Sequence, residues 1–175
     1  ADWDVTHNMT FNYIYQLPFL RDAGGVVEAI LGGWQLSGIV VLQSGNMRNI
    51  GLSLPHTGLA TRPDLVADPE GPETVAQWFN TAAFVQPAYG FYGNAGRNLV
   101  RGPNLRRWDA AVMKNFRLPW FAGESSNLQV RAEAFNFLNR ANFSGISTNL
   151  GSGNFGQVTS ARTARVFQVG MKFEF

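Results

Sequence analysis

The stretch 164–175, A-R-V-F-Q-V-G-M-K-F-E-F, constrains the fold of this chain more than any other. Phe167, Val169, Met171, Phe173 and Phe175 fall on one face of an extended backbone, and Gln168, Gly170, Lys172 and Glu174 fall on the other. Alternation with a period of two marks a strand that separates two different environments. The stretch ends on an aromatic residue, where a soluble domain commonly leaves a loose, polar terminus. Two architectures accommodate this pattern. One is a strand at the end of a soluble β-sandwich; the other is a strand whose apolar face meets lipid.

The same alternation recurs upstream. In 5–17, Met9, Phe11, Tyr13, Tyr15 and Leu17 share a face opposite Thr10, Asn12 and Gln16, with Ile14 the exception, and Pro18 ends the run by removing a ladder donor. In 34–43, Trp34, Leu36, Val40 and Leu42 oppose Gln35, Ser37 and Gln43. In 105–118, Trp108, Ala110, Val112, Phe116 and Leu118 oppose Asp109, Asn115 and Arg117, with Lys114 out of pattern. In 127–139, Leu128, Val130, Ala132 and Ala134 oppose Gln129, Arg131 and Glu133; the apolar phase then slips to Phe135 and Phe137, which reads as a bulge or as the strand leaving the apolar band. The fifth strand is expected over 157–175, with 157–161 as its upper part.

These are about five strands of roughly 10–13 residues, close to the ~9–11 that a tilted strand needs to cross a bilayer and longer than the five or six usual in soluble sheets. Their connections alternate in length. Residues 19–33 hold one expected helical turn at 26–31. The stretch 44–104 is rich in Pro and Gly and reads as a long irregular loop, with a short helix at 72–79 that carries Glu73 in its first turn. Residues 119–126 form a short turn and 140–156 a polar loop. Outer-membrane barrels have short periplasmic turns and long extracellular loops. If Phe175 ends in the periplasm, 119–126 is periplasmic and 44–104 extracellular.

Composition points the same way. Charged residues make up 15%, against the ~25% usual for a soluble domain, while Gly (19) and Phe (14) are abundant. Cys is absent, which removes disulfides, thiolate metal sites and a cysteine nucleophile. The charge-free stretch 29–47 contains four Gly, two Gln, two Ser and an Asn, so it reads as a strand and not a membrane helix. The Arg97, Arg101, Arg106, Arg107 cluster belongs to no nucleic-acid-binding motif, and no nucleic-acid partner is expected. The opening A-D-W-D-V-T-H lacks a leader, so the expectation is a mature product or a piece of something longer.

No catalytic constellation is present, and no enzyme activity, metal or cofactor is expected. His7 and His56 stand apart from any ligand-spaced motif. Asp2 with Asp4 is a weak cation candidate; Asp64, Asp68, Glu70 and Glu73 form a better acidic patch, though a solvated loop face is the simpler reading. Trp34, Trp108, Trp120, Phe121, Tyr13 and Tyr15 read as interfacial girdle residues. Arg117, Arg131 and Glu133 would face a lumen. Trp78, Phe79, Phe84, Tyr89, Phe91 and Tyr92 crowd the long loop, where with Arg97 they are candidate ligand contacts; a small core internal to the loop is an equal reading.

Seven segments in register carry a family resemblance: D-W-D-V-T-H-N with Y-I-Y-Q-L-P-F (2–8, 13–19), G-G-W-Q-L-S-G-I-V-V-L-Q-S-G (32–45), W-F-N-T-A-A-F (78–84), G-N-A-G-R-N-L-V-R-G-P (93–103), W-D-A-A-V-M-K-N-F (108–116), L-Q-V-R-A-E-A-F-N-F-L-N-R-A-N-F (128–143) and the terminal strand. The chain resembles the C-terminal end of TonB-dependent outer-membrane receptors, in the subgroup with a carboxypeptidase-regulatory-like N-terminal domain. The resemblance implies an all-β, antiparallel transmembrane β-barrel segment in the outer membrane of a Gram-negative-type bacterium. It implies uptake of a ligand such as a siderophore, oligosaccharide or peptide, powered by TonB. Phe167, Val169, Met171, Phe173 and Phe175 would be read by the barrel assembly machinery. The plug, the TonB box and most strands of such a receptor are missing, so outer-membrane lipid and the remaining barrel and plug of a parent receptor are the expected partners. A self-associating structural or adhesive β-protein and a multi-chain pore are the alternatives, because five strands leave open edges.

Overall fold

A computed structural model describes residues 4–19, 24–52, 62–118 and 126–175. The chain divides into two compact units. One is a sheet unit built from 9–42, 106–140 and 163–175; the other is a loop unit built from 1–8, 43–105 and 141–162.

The sheet unit carries five long strands: β1 (Asn8–Gln16), β2 (Gln35–Gln43), β3 (Leu105–Arg117), β4 (Asn127–Phe135) and β5 (Val166–Glu174). They lie in the order β1-β2-β3-β4-β5, each beside its neighbour in sequence. β3 and β4 pair antiparallel with Ala110 opposite Ala134 and Phe116 opposite Leu128. β4 and β5 pair antiparallel with Ala134 opposite Phe167 and Leu128 opposite Phe173. Because side chains alternate, this register stacks apolar rows across three strands: Ala110–Ala134–Phe167, Val112–Ala132–Val169 and Phe116–Leu128–Phe173. The polar rows fall on the opposite face.

Two expected boundaries are corrected. The fourth strand stops at Phe135 and does not reach 139. Asn136 and Asn139 have φ of 52° and 51°, and the Asn136 side chain accepts from the Arg140 amide (3.1 Å) and donates to its carbonyl (3.0 Å). Asn tolerates this left-handed conformation, so the phase slip at Phe135 and Phe137 is a turn and not a bulge. The fifth strand starts at Val166, and residues 157–161 are not its upper part: Val158–Ala161 pairs instead with Phe143–Ile146 in the loop unit. In the 19–33 connection the expected turn is present as α1 (Gly25–Leu31).

The loop unit is not irregular. Met47–Arg48 pairs with Val100–Arg101, Gly51–Leu52 with Asn149–Leu150, and Asp64–Leu65 with Phe84–Val85. The expected helix at 72–79 is absent. Glu73 has φ 53°, its amide donates to Trp78 O (3.1 Å), and the nearest helical turn is a 3₁₀ turn at Thr81–Ala83. The unit has its own core of Ile50, Trp78, Phe79, Ala83, Phe84 and Val100. Phe143, Ile146, Leu150, Phe155 and Val158 pack against it, so the expected polar loop 140–156 supplies part of an apolar interior. Phe79 meets Phe84 and Phe155 edge-to-face at 5.8 and 5.2 Å.

Candidate functional site: the polar face of the sheet and the loop unit

The polar face follows from the register. Ala111, Glu133 and Gln168 form one row, Met113, Arg131 and Gly170 the next, then Asn115, Gln129 and Lys172, then Arg117, Asn127 and Glu174. Arg117, Arg131 and Glu133 therefore share one face of the sheet, opposite the apolar rows. Arg131 and Glu133 are ion-paired at 2.5 Å, and Gln129 Nε2 donates to Asn115 Oδ1 at 3.0 Å. At the other end of β3, Arg107 makes two hydrogen bonds to Asp109 (2.8 and 2.5 Å), and Asp109 Oδ1 also accepts from the Asn136 amide at 2.9 Å. Asp109 thus ties the end of β4 to β3, a role the alternation alone did not mark. Its signal in the sequence is the Arg107-x-Asp109 spacing, which puts both groups on one face of a strand.

The apolar face carries the aromatic anchors. Tyr13 on β1 accepts a hydrogen bond from Trp108 Nε1 on β3 at 3.0 Å, reaching across β2 to do so. Gly38 makes this possible: a Cβ there would lie 2.5 Å from the Tyr13 hydroxyl and 2.6 Å from Asp109 O. Trp108 also packs edge-to-face on Phe137 at 5.4 Å. Trp34 donates from Nε1 to Ile30 O at 3.1 Å. Trp120 and Phe121 lie outside the described residues, as do His56 and Asp2. Phe167, Val169, Met171, Phe173 and Phe175 all stand exposed on the apolar side, with Phe173 stacked on Phe175 at 5.8 Å.

In the loop unit the candidate ligand residues separate into two groups. Trp78 and Phe79 are 7% and 2% exposed and form the core, so they present no face to a ligand. The physical reason is that the Trp78 indole N–H is satisfied internally by Arg101 O (2.8 Å) while its ring lies edge-on to Phe143. Phe84 is buried with them. Tyr89, Phe91 and Tyr92, by contrast, are 82%, 68% and 71% exposed on a turn with Gly90 at φ 84°. The stretch after that turn is fastened beneath: Asn94 Oδ1 accepts from the Leu65 amide (2.7 Å) and the Asn94 amide donates to Asp64 Oδ1 (2.8 Å).

Arg97 lines a cleft of about 400 Å³ with Arg62, Asn49 and Asn149. The sequence does not join Arg62 or the two Asn to Arg97, because the cleft brings together four separate segments. The Asn49 side chain accepts from the Asn98 amide at 2.8 Å, which fixes one wall. Two guanidinium groups and two amides at one opening suit a polar or anionic group. The acidic patch does not converge: Asp64 is used by Asn94, Asp68 caps the Glu70 amide (3.0 Å), and among the described residues no three His, Asp or Glu side chains approach closely enough to hold a metal ion. His7 is engaged through its backbone, with its amide donating to Ser44 Oγ at 3.0 Å.

No curated protein and no solved structure matches the chain. A family model described as an outer membrane beta barrel domain matches residues 1–168. The geometry agrees with it: strands of 9 to 13 residues are long enough to cross a bilayer, and across β3–β5 one face carries the apolar rows, interrupted by Lys114, while the other carries the polar and charged ones. The chain belongs to the outer-membrane β-barrel domain family, and its location is the outer membrane.

Proposed function

We propose that this chain is the barrel segment of a TonB-dependent uptake receptor. The observation that carries the reading is the loop unit. A barrel that served only as a wall or anchor would need short connections, yet here the β2–β3 and β4–β5 connections together build a separately cored unit. That unit exposes Tyr89, Phe91 and Tyr92 and opens a cleft at Arg62 and Arg97. Exposed aromatic rings and a cleft lined by two arginines, both on the loop unit, suit a ligand with planar or sugar-like apolar faces and an anionic or hydroxyl-rich part, such as a siderophore, oligosaccharide or peptide. In this reading the loop unit is extracellular, the Arg117, Arg131 and Glu133 face lines the lumen, and the Phe167–Phe175 alternation is the signal for the assembly machinery. The sheet unit's outermost strands, β1 and β5, pair with the remaining strands of the barrel, since an open strand edge in hydrocarbon costs several kcal/mol per unsatisfied group. Lipid covers the apolar face, a plug fills the lumen and TonB supplies the energy. No chemistry is assigned to the chain.

The test is made on the polypeptide that carries this sequence in its native outer membrane. A large heat-modifiable species that binds the periplasmic domain of TonB is expected. A Cys introduced at Tyr92 should react with a membrane-impermeant maleimide in intact cells. A species near 19.3 kDa that ignores TonB would overturn the receptor reading. The two outermost strands would then favour the second reading, a multi-copy pore or a self-associating β-protein joined edge to edge.

A further inference from the structure

Lys114 breaks the alternation of β3. It lies in the row Lys114–Val130–Met171, between the apolar rows of Val112 and Phe116, on the face that meets lipid in a barrel of this family. A bare ammonium there would be costly, most at the bilayer midplane and less toward the interface. Yet Lys114 is only 4% exposed. Its Nζ donates to Glu28 O (3.3 Å) and to Gly32 O, and it sits over the Trp34 and Phe116 rings at 5.9 and 5.1 Å. The carbonyls that receive it are those at the C-terminal end of α1, which has no basic residue in its own last turn. Such carbonyls need partners, and a cation there complements the helix dipole. Glu28 O also accepts from the Gly32 amide (2.9 Å), so Lys114 adds its charge to a helix end whose backbone is already capped, and α1 is held against the apolar face of β3.

Held there, α1 leaves Val26, Val27, Ile30 and Leu31 exposed, at 72%, 49%, 53% and 55%, and buries none of its residues. A helix of seven residues is far too short to persist alone in water, where ~12–15 residues are already marginal. Between it and β3 runs a cleft of about 800 Å³ with walls that include Val26, Ala29, Ile30 and Phe116. Because Lys114 lies in the row of Val130 and Met171, the helix it holds sits on the same side of the sheet as the apolar rows. Lys114 stands roughly 10 Å from the Arg117 end of β3, within the ~5–10 Å depth at which interfacial helices lie.

We infer that α1 is an interfacial foot: a short helix outside the barrel wall, pinned by Lys114, whose Val26, Val27, Ile30 and Leu31 side chains are immersed in phospholipid at the periplasmic leaflet. The leaflet rests on the orientation proposed above; the immersion rests only on the apolar face. Because the chain has no Cys, single thiols can report on it. A fluorophore on Ile30→Cys, in the outer-membrane protein reconstituted with brominated phosphatidylcholine, should be quenched as strongly as one on Val169→Cys and be shielded from iodide. Adding Lys114→Met should open the Ile30 probe to iodide and leave the Val169 probe unchanged. An Ile30 probe quenched by iodide beside a lipid-quenched Val169 probe overturns the foot and leaves the barrel face intact. Iodide quenching at both sites overturns the face and the foot together. An Ile30 probe indifferent to Lys114→Met removes Lys114 as the pin.

Discussion

The two units of this chain are packed inside out with respect to each other. Among the described residues, the loop unit buries Ile50, Trp78, Phe79, Ala83, Phe84, Ala95 and Val100, whereas Ala134 is the one buried apolar residue of the sheet unit. The sheet unit instead buries Lys114, Ser126 and Asn136 and displays Phe11, Phe167, Val169 and Met171. Both units are made from the same kind of sequence, rich in Phe and poor in charge. What differs is the solvent each was built for. The loop unit obeys the hydrophobic effect in water; the sheet unit has its core on the outside, because hydrocarbon takes that role.

The comparison can be broken in four places. Phe79→Ala should have the largest effect, about 3–5 kcal/mol lost from the loop unit. Limited proteolysis should then cut within 62–104 while heat-modifiability of the barrel is retained. If the barrel fails instead, the units are not separately cored. Next comes Met171→Arg, expected to cost about 2–4 kcal/mol when the protein folds into bilayers, against little for Gln168→Arg on the other face. Equal losses at the two sites would remove the lipid-facing assignment. Gly38→Ala is expected to be intermediate, about 1–3 kcal/mol, because its Cβ would displace the Tyr13 ring and break the Tyr13–Trp108 bond. A Tyr13→Phe change in the same background should then cost little more, which a double-mutant cycle in bilayer refolding would read. Smallest is Arg131→Ala. The pair with Glu133 is half exposed on the arginine side, so it contributes about 0–1 kcal/mol, and the expected change is in the permeation of charged solutes, measured by liposome swelling.

How legible this was in the sequence follows the same division. The sheet was readable because period-two alternation survives without knowledge of partners: Trp108 to Phe116 and Leu128 to Ala134 were on the observed faces. Strand ends were less so. Phe135 and Phe137 continue to look like a strand, and only the left-handed Asn136 and Asn139 stop it. The loop unit was hardly readable, since its strands are two to four residues long and its core is assembled from segments distant in sequence. Phe143 and Phe155 sit among Asn, Ser and Gly, and nothing local shows that they meet Trp78 and Phe79. The same limit separated Arg62 from Arg97. Lys114 is the instructive exception: the sequence flagged it as out of pattern, and its explanation required α1.

The composition of the loop unit's core also sets a timetable. Trp78 cannot find Phe143, nor Phe79 find Phe155, until the segment just upstream of β5 has left the translocation channel. Closing contacts across so much chain is slow, and until then the β2–β3 segment offers its aromatic residues to chaperones and proteases. The strand that carries the Phe167–Met171 alternation follows almost at once. Completion of the loop unit's core and delivery of β5 are thereby close together in time during export from the N-terminus.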